Sequence, residues 1–350
     1  RDFKLPQVWR TNIGVDHKLP WGITGTLDFI YSRDISTPIV YNPVLREPDG
    51  FLNGPDQRPY WDGGYSNDPD FRNVFLLTNA ERKADYVSLT AQFQKDFDNG
   101  FSTFIAYTLS RARDLDASGG SQAGSLWTAE VQRDRNDPEL SFASYDQPNR
   151  VIGGLSYQTE TSTISLFYEG GENGRFSYTY SGNFGDNSDR LIYIPNDASE
   201  LNFEEFTLDG NVITAQQQVD LFNAYIDQDD YLSANRGSIA ERNGAKNPWL
   251  HRFDLRILQD LRLTGDDKHK IQLSLDFLNI GNMLNSDWGV PQFAFQDNPL
   301  NYRGRNDAGE PVYRLNTVPG TTEFPTTTFR PSTFISDTWR LQVGVRYLFN

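Results

Sequence analysis

The chain has 350 residues, a formal net charge of -15 and no cysteine. A negative charge of this size argues against nucleic-acid binding, and without cysteine there are no disulfides, thiolate metal sites or cysteine nucleophiles. No apolar run approaches the roughly 18 to 20 residues of a membrane helix, but a membrane strand needs only about 9 to 11 residues with every second one apolar.

Segments of alternating apolar and polar residues recur from the start of the chain. Such alternation predicts β-strands, because successive side chains of a strand point to opposite faces. In the fourth segment, for example, Phe101 and Ile105 fall on one face and Ser102 on the other. The nine predicted strands run over about 7–17, 23–31, 87–97, 101–110, 150–158, 162–170, 253–263, 271–277 and 339–349.

The last of these segments gives the strongest signal. Its odd-numbered residues from Trp339 to Phe349 are all apolar, and its even-numbered residues from Arg340 to Arg346 are polar or glycine. An outer-membrane barrel requires such strands, with one face toward lipid, one toward the lumen and aromatic residues at the membrane interfaces. The segment therefore predicts a membrane-spanning strand.

The connections between the predicted strands alternate between short and long. Short turns such as Asp98-Asn99-Gly100 follow the odd-numbered strands, and long loops cover about 36–83, 114–148, 171–248 and 282–332. Short periplasmic turns and long extracellular loops are typical of outer-membrane barrels. The sequence therefore predicts an all-β fold, an antiparallel transmembrane β-barrel in the bacterial outer membrane with its C-terminus on the periplasmic side.

The strand number itself has a consequence. With nine strands, the first and the last run in the same direction and cannot close a barrel by antiparallel pairing. Bacterial single-chain barrels have even strand numbers. We therefore expect residues 1–350 to be the C-terminal part of a larger barrel whose earlier strands precede Arg1.

Several stretches of the chain resemble one family when they are taken together. Phe277–Asn285, which reads Phe-Leu-Asn-Ile-Gly-Asn-Met-Leu-Asn, looks like an asparagine-rich strand end of that family. The other stretches are Pro6–Asn12, Lys18–Gly22, Leu166–Gly170, Gly174–Tyr178, Leu191–Pro195, Asp229–Leu232, Arg236–Gly237 and Glu241–Ala245. In combination they are similar to the late barrel of Oar-like TonB-dependent transporters of the Bacteroidota.

The resemblance implies a barrel of about 22 strands around an N-terminal plug domain, driven by the TonB complex across the periplasm. No plug domain is identified in the chain, so the TonB complex would act through a part of the protein ahead of Arg1. The aromatic end of the last strand also resembles the signal that barrel-assembly machinery reads. A surface lipoprotein over the barrel mouth stays open as a further partner.

One predicted strand carries charges on its polar face. Arg252, Asp254, Arg256, Asp260 and Arg262 would line the barrel lumen. They would form either a substrate path or plug-docking surface, or a charge ladder that solvates a wet interior and keeps the strands in register.

Aromatic residues fall into two groups. In the long loops, Tyr60, Trp61, Tyr65, Trp127 and Trp288 would either stack on a sugar or peptide ligand or hold the loops together around a small core. Six aromatics near strand ends are predicted to lie at the membrane interfaces, next to outer-membrane lipid. These are Trp21, Phe97, Phe101, Trp339, Tyr347 and Phe349.

Acidic loop segments raise the question of a metal. Asp186, Asn187 and Asp189 are weak Ca²⁺ candidates, because Ca²⁺ prefers several oxygen ligands on a flexible loop. The same residue types dominate turns for conformational reasons, and no segment has EF-hand spacing. We predict no cofactor, with structural Ca²⁺ in the extracellular loops left open. Since the three histidines are scattered, we also expect no enzymatic activity.

These observations predict TonB-dependent outer-membrane transport of a nutrient or another ligand. The extracellular loops would capture the ligand, which would then pass through the barrel lumen. A passive porin would share the fold, and a secreted glycan-binding β-sandwich or propeller is the alternative outside the membrane. The predicted strands are longer than the about 5 to 6 residues that are usual in globular proteins, which favours the barrel. The sequence does not identify the ligand.

Overall fold

Nine long strands form one continuous sheet in the computed structural model, which describes residues 3–62, 74–115, 121–129, 131–182, 190–263 and 269–349. Each strand pairs antiparallel with the next along the chain. They are β1 (Gln7–Lys18), β2 (Thr24–Ser36), β3 (Asp85–Asp96), β4 (Phe101–Asp114), β5 (Asn149–Gln158), β6 (Ser162–Glu172), β7 (Trp249–Arg262), β8 (His269–Leu278) and β9 (Arg340–Phe349). The predicted number and order of strands are confirmed.

The sheet is open. It ends at β1 on one side and at β9 on the other, and these two strands do not pair with each other. Since every step between them is antiparallel, β1 and β9 run in the same direction. Membership of a larger barrel of about 22 strands therefore stays a prediction.

The strand register brings apolar residues into rows across the sheet. Leu155 of β5 lies opposite Leu166 of β6, which lies opposite Leu255 of β7. The row continues through Phe277 of β8 to Leu341 of β9. All these side chains leave the sheet on one face, which we call the outer face. Leu155 and Leu341 are 48% and 46% exposed, which is expected of a face that meets lipid.

Gly100 shapes the short turn between β3 and β4. Its φ is +87°, in the left-handed region, and a Cβ there would lie 2.3 Å from the carbonyl oxygen of Gln158. The Gln158 N–H donates to the Gly100 carbonyl at 2.9 Å, so the turn also binds the end of β5. Only glycine combines this backbone conformation with so close an approach. The hairpin predicted from Asp98-Asn99-Gly100 is confirmed.

The long connections do not form irregular loops. The described residues within 37–84, 115–148, 173–248 and 279–339 build a folded unit, which we call the cap. Its helices are α1 (Ala123–Ala129), α2 (Ala215–Asp227), α3 (Asp230–Ala234) and α4 (Ile280–Leu284), and 3₁₀ turns lie at Ala198–Glu200 and Ile335–Asp337, with one more outside the cap at Pro20–Gly22. Among the described residues, no helix is long and apolar enough to cross a membrane.

Short strands pair within the cap, and several of the pairs join parts that are distant along the chain. Two-stranded pairs join Pro38–Tyr41 with Leu76–Asn79, Gly50–Phe51 with Pro59–Tyr60, Arg175–Phe176 with Ala245–Lys246, Tyr193–Ile194 with Ser238–Ile239, Phe206–Leu208 with Asn211–Ile213, and Gln292–Ala294 with Phe329–Pro331. A four-stranded sheet contains Tyr180–Ser181, Leu300–Arg305, Pro311–Leu315 and Asn202–Phe203. Ser141–Phe142 pairs with the end of β4 and so attaches the cap to the nine-stranded sheet, which we call the wall.

The cap has its own hydrophobic core, drawn from three of the four long connections. Helix α2 contributes Phe222, Tyr225 and Ile226, whose spacing places them on one face of the helix. The helix begins with a capping box, in which Thr214 accepts from the Gln217 N–H and the Gln217 side chain accepts from the Thr214 N–H. The cap is therefore held by packing as a globular domain is.

A buried ion pair joins the same three connections. Arg58 Nε donates to Asp56 at 2.9 Å, and Arg58 Nη2 donates to the Leu191 carbonyl at 2.7 Å. The hydroxyls of Tyr180 and Tyr313 each donate to Asp56 at 3.3 Å. Burial raises the pKa of both tyrosines, so they stay protonated as donors. The carboxylate is thus compensated by a cation and two hydroxyls in a site with almost no solvent.

We expect Arg58→Ala to lower the free energy of cap unfolding by about 3 to 5 kcal/mol, because Asp56 would be left buried without its cation. The change can be measured as denaturant-dependent proteolysis of the cap in detergent-purified protein. The control is Arg82→Ala, which removes an exposed ion pair to Asp137 and should cost less than about 1 kcal/mol. Equal effects of the two substitutions would contradict the role of the buried pair.

We expect Gly100→Ala to destabilise the folded wall by about 2 kcal/mol or more, since it adds a steric clash to backbone strain. Gly22→Ala is the matched control, because Gly22 also has a positive φ, +72°, but nothing lies within 4 Å of its added Cβ. Urea unfolding in detergent micelles, followed by tryptophan fluorescence, separates the two. A loss for Gly22→Ala as large as that for Gly100→Ala would show that the contact with Gln158 does not matter.

Candidate functional site

The inner face of the sheet is polar and charged. Opposite the outer face, Arg150 pairs with Glu169 at 2.5 Å and the hydroxyls of Thr90 and Thr108 share a hydrogen bond of 2.8 Å. Each of these pairs joins neighbouring strands. The face that would point into a barrel lumen is therefore held together by polar contacts between strands.

The five predicted lumen residues all lie on this inner face. Arg252 Nε contacts Asp254 at 3.2 Å along β7, and Asp260 accepts from Gln272 of β8 at 3.0 Å. Arg256 Nε contacts Asp276 of β8 at 3.1 Å. Arg262 contacts Glu160, in the short turn between β5 and β6, at 3.5 Å. Because these charges have partners within the wall, the contacts favour the charge-ladder interpretation.

Asp254 has a second role that the sequence did not indicate. Its Oδ1 accepts from the backbone N–H of Asn279 at 2.6 Å, where β8 ends. Asn279 adopts a left-handed φ of +53°, and its side chain donates to the carbonyls of Gly289 and Asp337. Asn282 accepts from the Trp339 N–H at 3.1 Å. The asparagines of the Phe277–Asn285 stretch thus hold the connection between β8 and β9.

Two aromatic residues on the inner face were missed by sequence analysis. Phe104 of β4 and Phe167 of β6 line a depression of about 240 Å³ together with Gln94 and Asp96. A Cβ on Gly154 would lie 2.4 Å from the Phe104 ring, so glycine there makes room for it. The sequence could have shown their position, because the alternation along each strand places both phenylalanines on its polar face. They give the charged wall one apolar patch.

A larger cavity, of about 310 Å³, lies in the cap against the end of β4. Its lining includes the charged residues Arg133, Glu139 and Glu241 and the apolar residues Leu140 and Leu191. We call it the junction cavity. A concave surface with charges of both signs beside apolar side chains suits a polar organic ligand. None of these residues was predicted, because four separate stretches of the chain meet there.

The junction cavity is attached to the sheet by buried ion pairs. Arg242, which also lines the cavity, contacts Asp114 of β4 at 2.8 Å, with both side chains nearly buried. Arg175 contacts Asp146 at 2.6 Å, and Asp146 also accepts from the N–H of Ala112 in β4. The position of the cap at this end of the wall is therefore fixed by charge pairs as well as by strand pairing.

The predicted loop aromatics occupy different environments. Trp61 and Trp127 are 7% and 2% exposed, and their indole N–H groups donate to the Arg46 carbonyl and to Asn136. Tyr60 is half-buried under the guanidinium of Arg305, at 3.6 Å from the ring centroid. These three favour the small-core interpretation. Trp288 is 56% exposed, and Tyr65 lies outside the described residues.

The calcium candidates Asp186, Asn187 and Asp189 lie outside the described residues. Within the described ranges, no group of three or more acidic or histidine side chains could hold a metal ion. Another acidic segment, at Asp229–Asp230, shows turn chemistry. Asp229 caps α3 by accepting from two backbone N–H groups, and it also accepts from the Tyr178 hydroxyl at 2.6 Å.

The six predicted interface aromatics are all on the surface. Trp21 is 84% exposed and Phe349 is 74% exposed, and the remaining four, Phe97, Phe101, Trp339 and Tyr347, range from 39% to 54%. Trp339 lies immediately before the last strand, and Phe349 is the final residue of that strand. Ten residue steps at about 3.3 Å each, tilted by about 40°, give a band about 25 Å tall, which matches the apolar band of an outer-membrane barrel.

Comparison with known proteins agrees with this architecture. Residues 1–299 match the family described as Outer membrane beta barrel domain. No curated protein and no solved structure matches the chain. Since the family match covers most of the chain and the structure shows an all-β sheet with an apolar outer face, the protein belongs to the outer membrane beta barrel domain family.

Proposed function

We propose that the chain forms part of the wall and the extracellular cap of a TonB-dependent outer-membrane transporter. The cap captures a ligand at the junction cavity. The ligand then passes along the charged inner wall when the TonB complex displaces a plug domain carried by another part of the protein. The proposed role involves neither catalysis nor a cofactor.

The junction cavity is the observation that carries this proposal. A folded cap with its own core presents a preformed surface, which lowers the entropic cost of ligand binding. The cavity is built from the cap and reaches Ser141, which pairs beside the end of β4. A ligand held there lies at the cap end of β4, close to the wall along which a transport path would run.

The single open sheet argues against the alternative of a secreted glycan-binding β-sandwich or propeller. A sandwich covers its apolar face with a second sheet. Here the nine strands form one sheet, and Val343 and Val345 on its outer face are 65% and 72% exposed. A passive porin has the same wall, so the distinction between porin and transporter depends on energy coupling.

The proposed orientation can be tested with single cysteines, because the chain has none of its own. We expect a membrane-impermeant maleimide to label Val212→Cys, in the exposed part of the cap, on intact cells. Lys18→Cys, beside the first short turn, should be labelled only after the outer membrane is permeabilised. The protein without an introduced cysteine is the control. Labelling of Lys18→Cys on intact cells would show that the orientation is the reverse of the one proposed.

Energy coupling can be tested by uptake. Three labelled probes, a ferric siderophore, an oligosaccharide and a peptide, are offered to wild-type cells, to cells lacking this protein and to cells lacking TonB. We expect uptake of at least one probe to fall to background in both mutant strains. If uptake requires this protein but persists without TonB, the protein is a passive porin. If no probe requires it, ligand transport of these three classes is excluded.

A further inference from the structure

Three arginines surround one aspartate on the outer face of the sheet, at the end where the cap lies. Arg33 of β2 lies opposite Asp85 of β3, and Asp85 lies opposite Arg113 of β4. Arg111 lies two residues before Arg113, so it points to the same face. We call this group the arginine cluster. It lies at the cap end of the strands, next to the exposed apolar residues of the outer face.

The arginine cluster carries more positive charge than its neighbours neutralise. Arg113 binds both oxygens of Asp85, at 2.9 and 2.5 Å, whereas Arg111 reaches Asp85 only at 4.0 Å. The Arg33 side chain is exposed, and among the described residues its guanidinium acts on Asp85 only through longer-range attraction. Glu241 of the cap adds only a longer-range attraction to Arg113. Three guanidinium groups therefore share one carboxylate, in a chain whose net charge is -15.

The position of the cluster relative to the apolar rows is the second observation. Leu109, on the same strand and face as Arg111, is 51% exposed, and the two lie about 7 Å apart along the strand. Trp9 of β1 lies opposite Arg33 and is 67% exposed. Tryptophan is typical of the membrane interface. The arginines thus lie where the hydrocarbon region gives way to lipid headgroups.

We propose that Arg33, Arg111 and Arg113 bind a phosphate group of a phosphorylated glycolipid in the outer leaflet. A guanidinium group can donate two parallel hydrogen bonds to a phosphate. It therefore fits this ligand better than the ammonium group of a lysine does. The acyl chains of the glycolipid would lie against the exposed apolar side chains of the outer face, including Leu109. A free phosphate ion would have no such second contact. The inference rests on the proposed orientation, in which the cap is extracellular.

The test uses full-length protein purified from outer membranes in detergent, with lipid A as the probe. Arg33→Gln and Arg111→Gln are combined, because this double variant keeps the Asp85–Arg113 pair. The control is Arg303→Gln, which alters an arginine of similar exposure in the cap, paired with Glu204. Native mass spectrometry measures the affinity for bisphosphorylated lipid A, for dephosphorylated lipid A and for inorganic phosphate.

We expect the double variant to bind bisphosphorylated lipid A about 10- to 30-fold more weakly than the wild type, which is the effect of two arginines near an anionic membrane surface. The control should bind as the wild type does. Equal binding by the double variant, equal binding of dephosphorylated lipid A, or displacement by millimolar inorganic phosphate would each overturn the proposal. Since the assay requires neither TonB nor uptake, its failure is distinguishable from failure of the proposed transport.

Discussion

The rest of the structure depends on the register of backbone hydrogen bonds across the nine strands. At membrane depth, every backbone polar group needs a partner, because lipid provides none. The side-chain period of a strand is two, so a slip of one residue would turn the charged face toward lipid. In the described pairings of β1 to β9, one shift occurs, between Gln7 and Val8. It lies at the cap end of β1, and the apolar rows below it stay aligned.

The wall and the cap place their apolar side chains in opposite ways. In the wall, apolar side chains face outward and the charges of β7 pair on the inner face. In the cap, apolar side chains face inward, and Phe222 and Ile226 are completely buried. The charged residues of the junction cavity lie where these two arrangements meet. A polar ligand that left the cap, as proposed, would therefore meet charged side chains first. Phe104 and Phe167 add an apolar patch to the inner face.

The sequence was sufficient to predict the wall, because local alternation alone determines which residues share a face of a strand. It placed Arg252 and Arg256 on the inner face and Trp339 and Phe349 on the surface, as the structure does. It did not predict the cap, whose short strands are two to six residues long. Several of them pair across long separations, such as Tyr180–Ser181 with Leu300–Arg305. The junction cavity was missed for the same reason. Its side chains come from segments whose proximity depends on tertiary packing, which leaves no periodic signal in the sequence.

The ion pair of Asp56 and Arg58 has a consequence for the order of assembly. Its partners include Leu191 and Tyr313, and Asp56 and Tyr313 are separated by 257 positions along the chain. The site is complete only when segments before β3, before β7 and before β9 are on the same side of the membrane. Contacts over such separations form late, since the intervening chain must be ordered first. Closure of the cap core therefore requires the last long connection to be on the same side of the membrane as the other two. With the cap extracellular, as proposed, a protease-resistant cap would mark a chain whose long connections have all crossed the membrane.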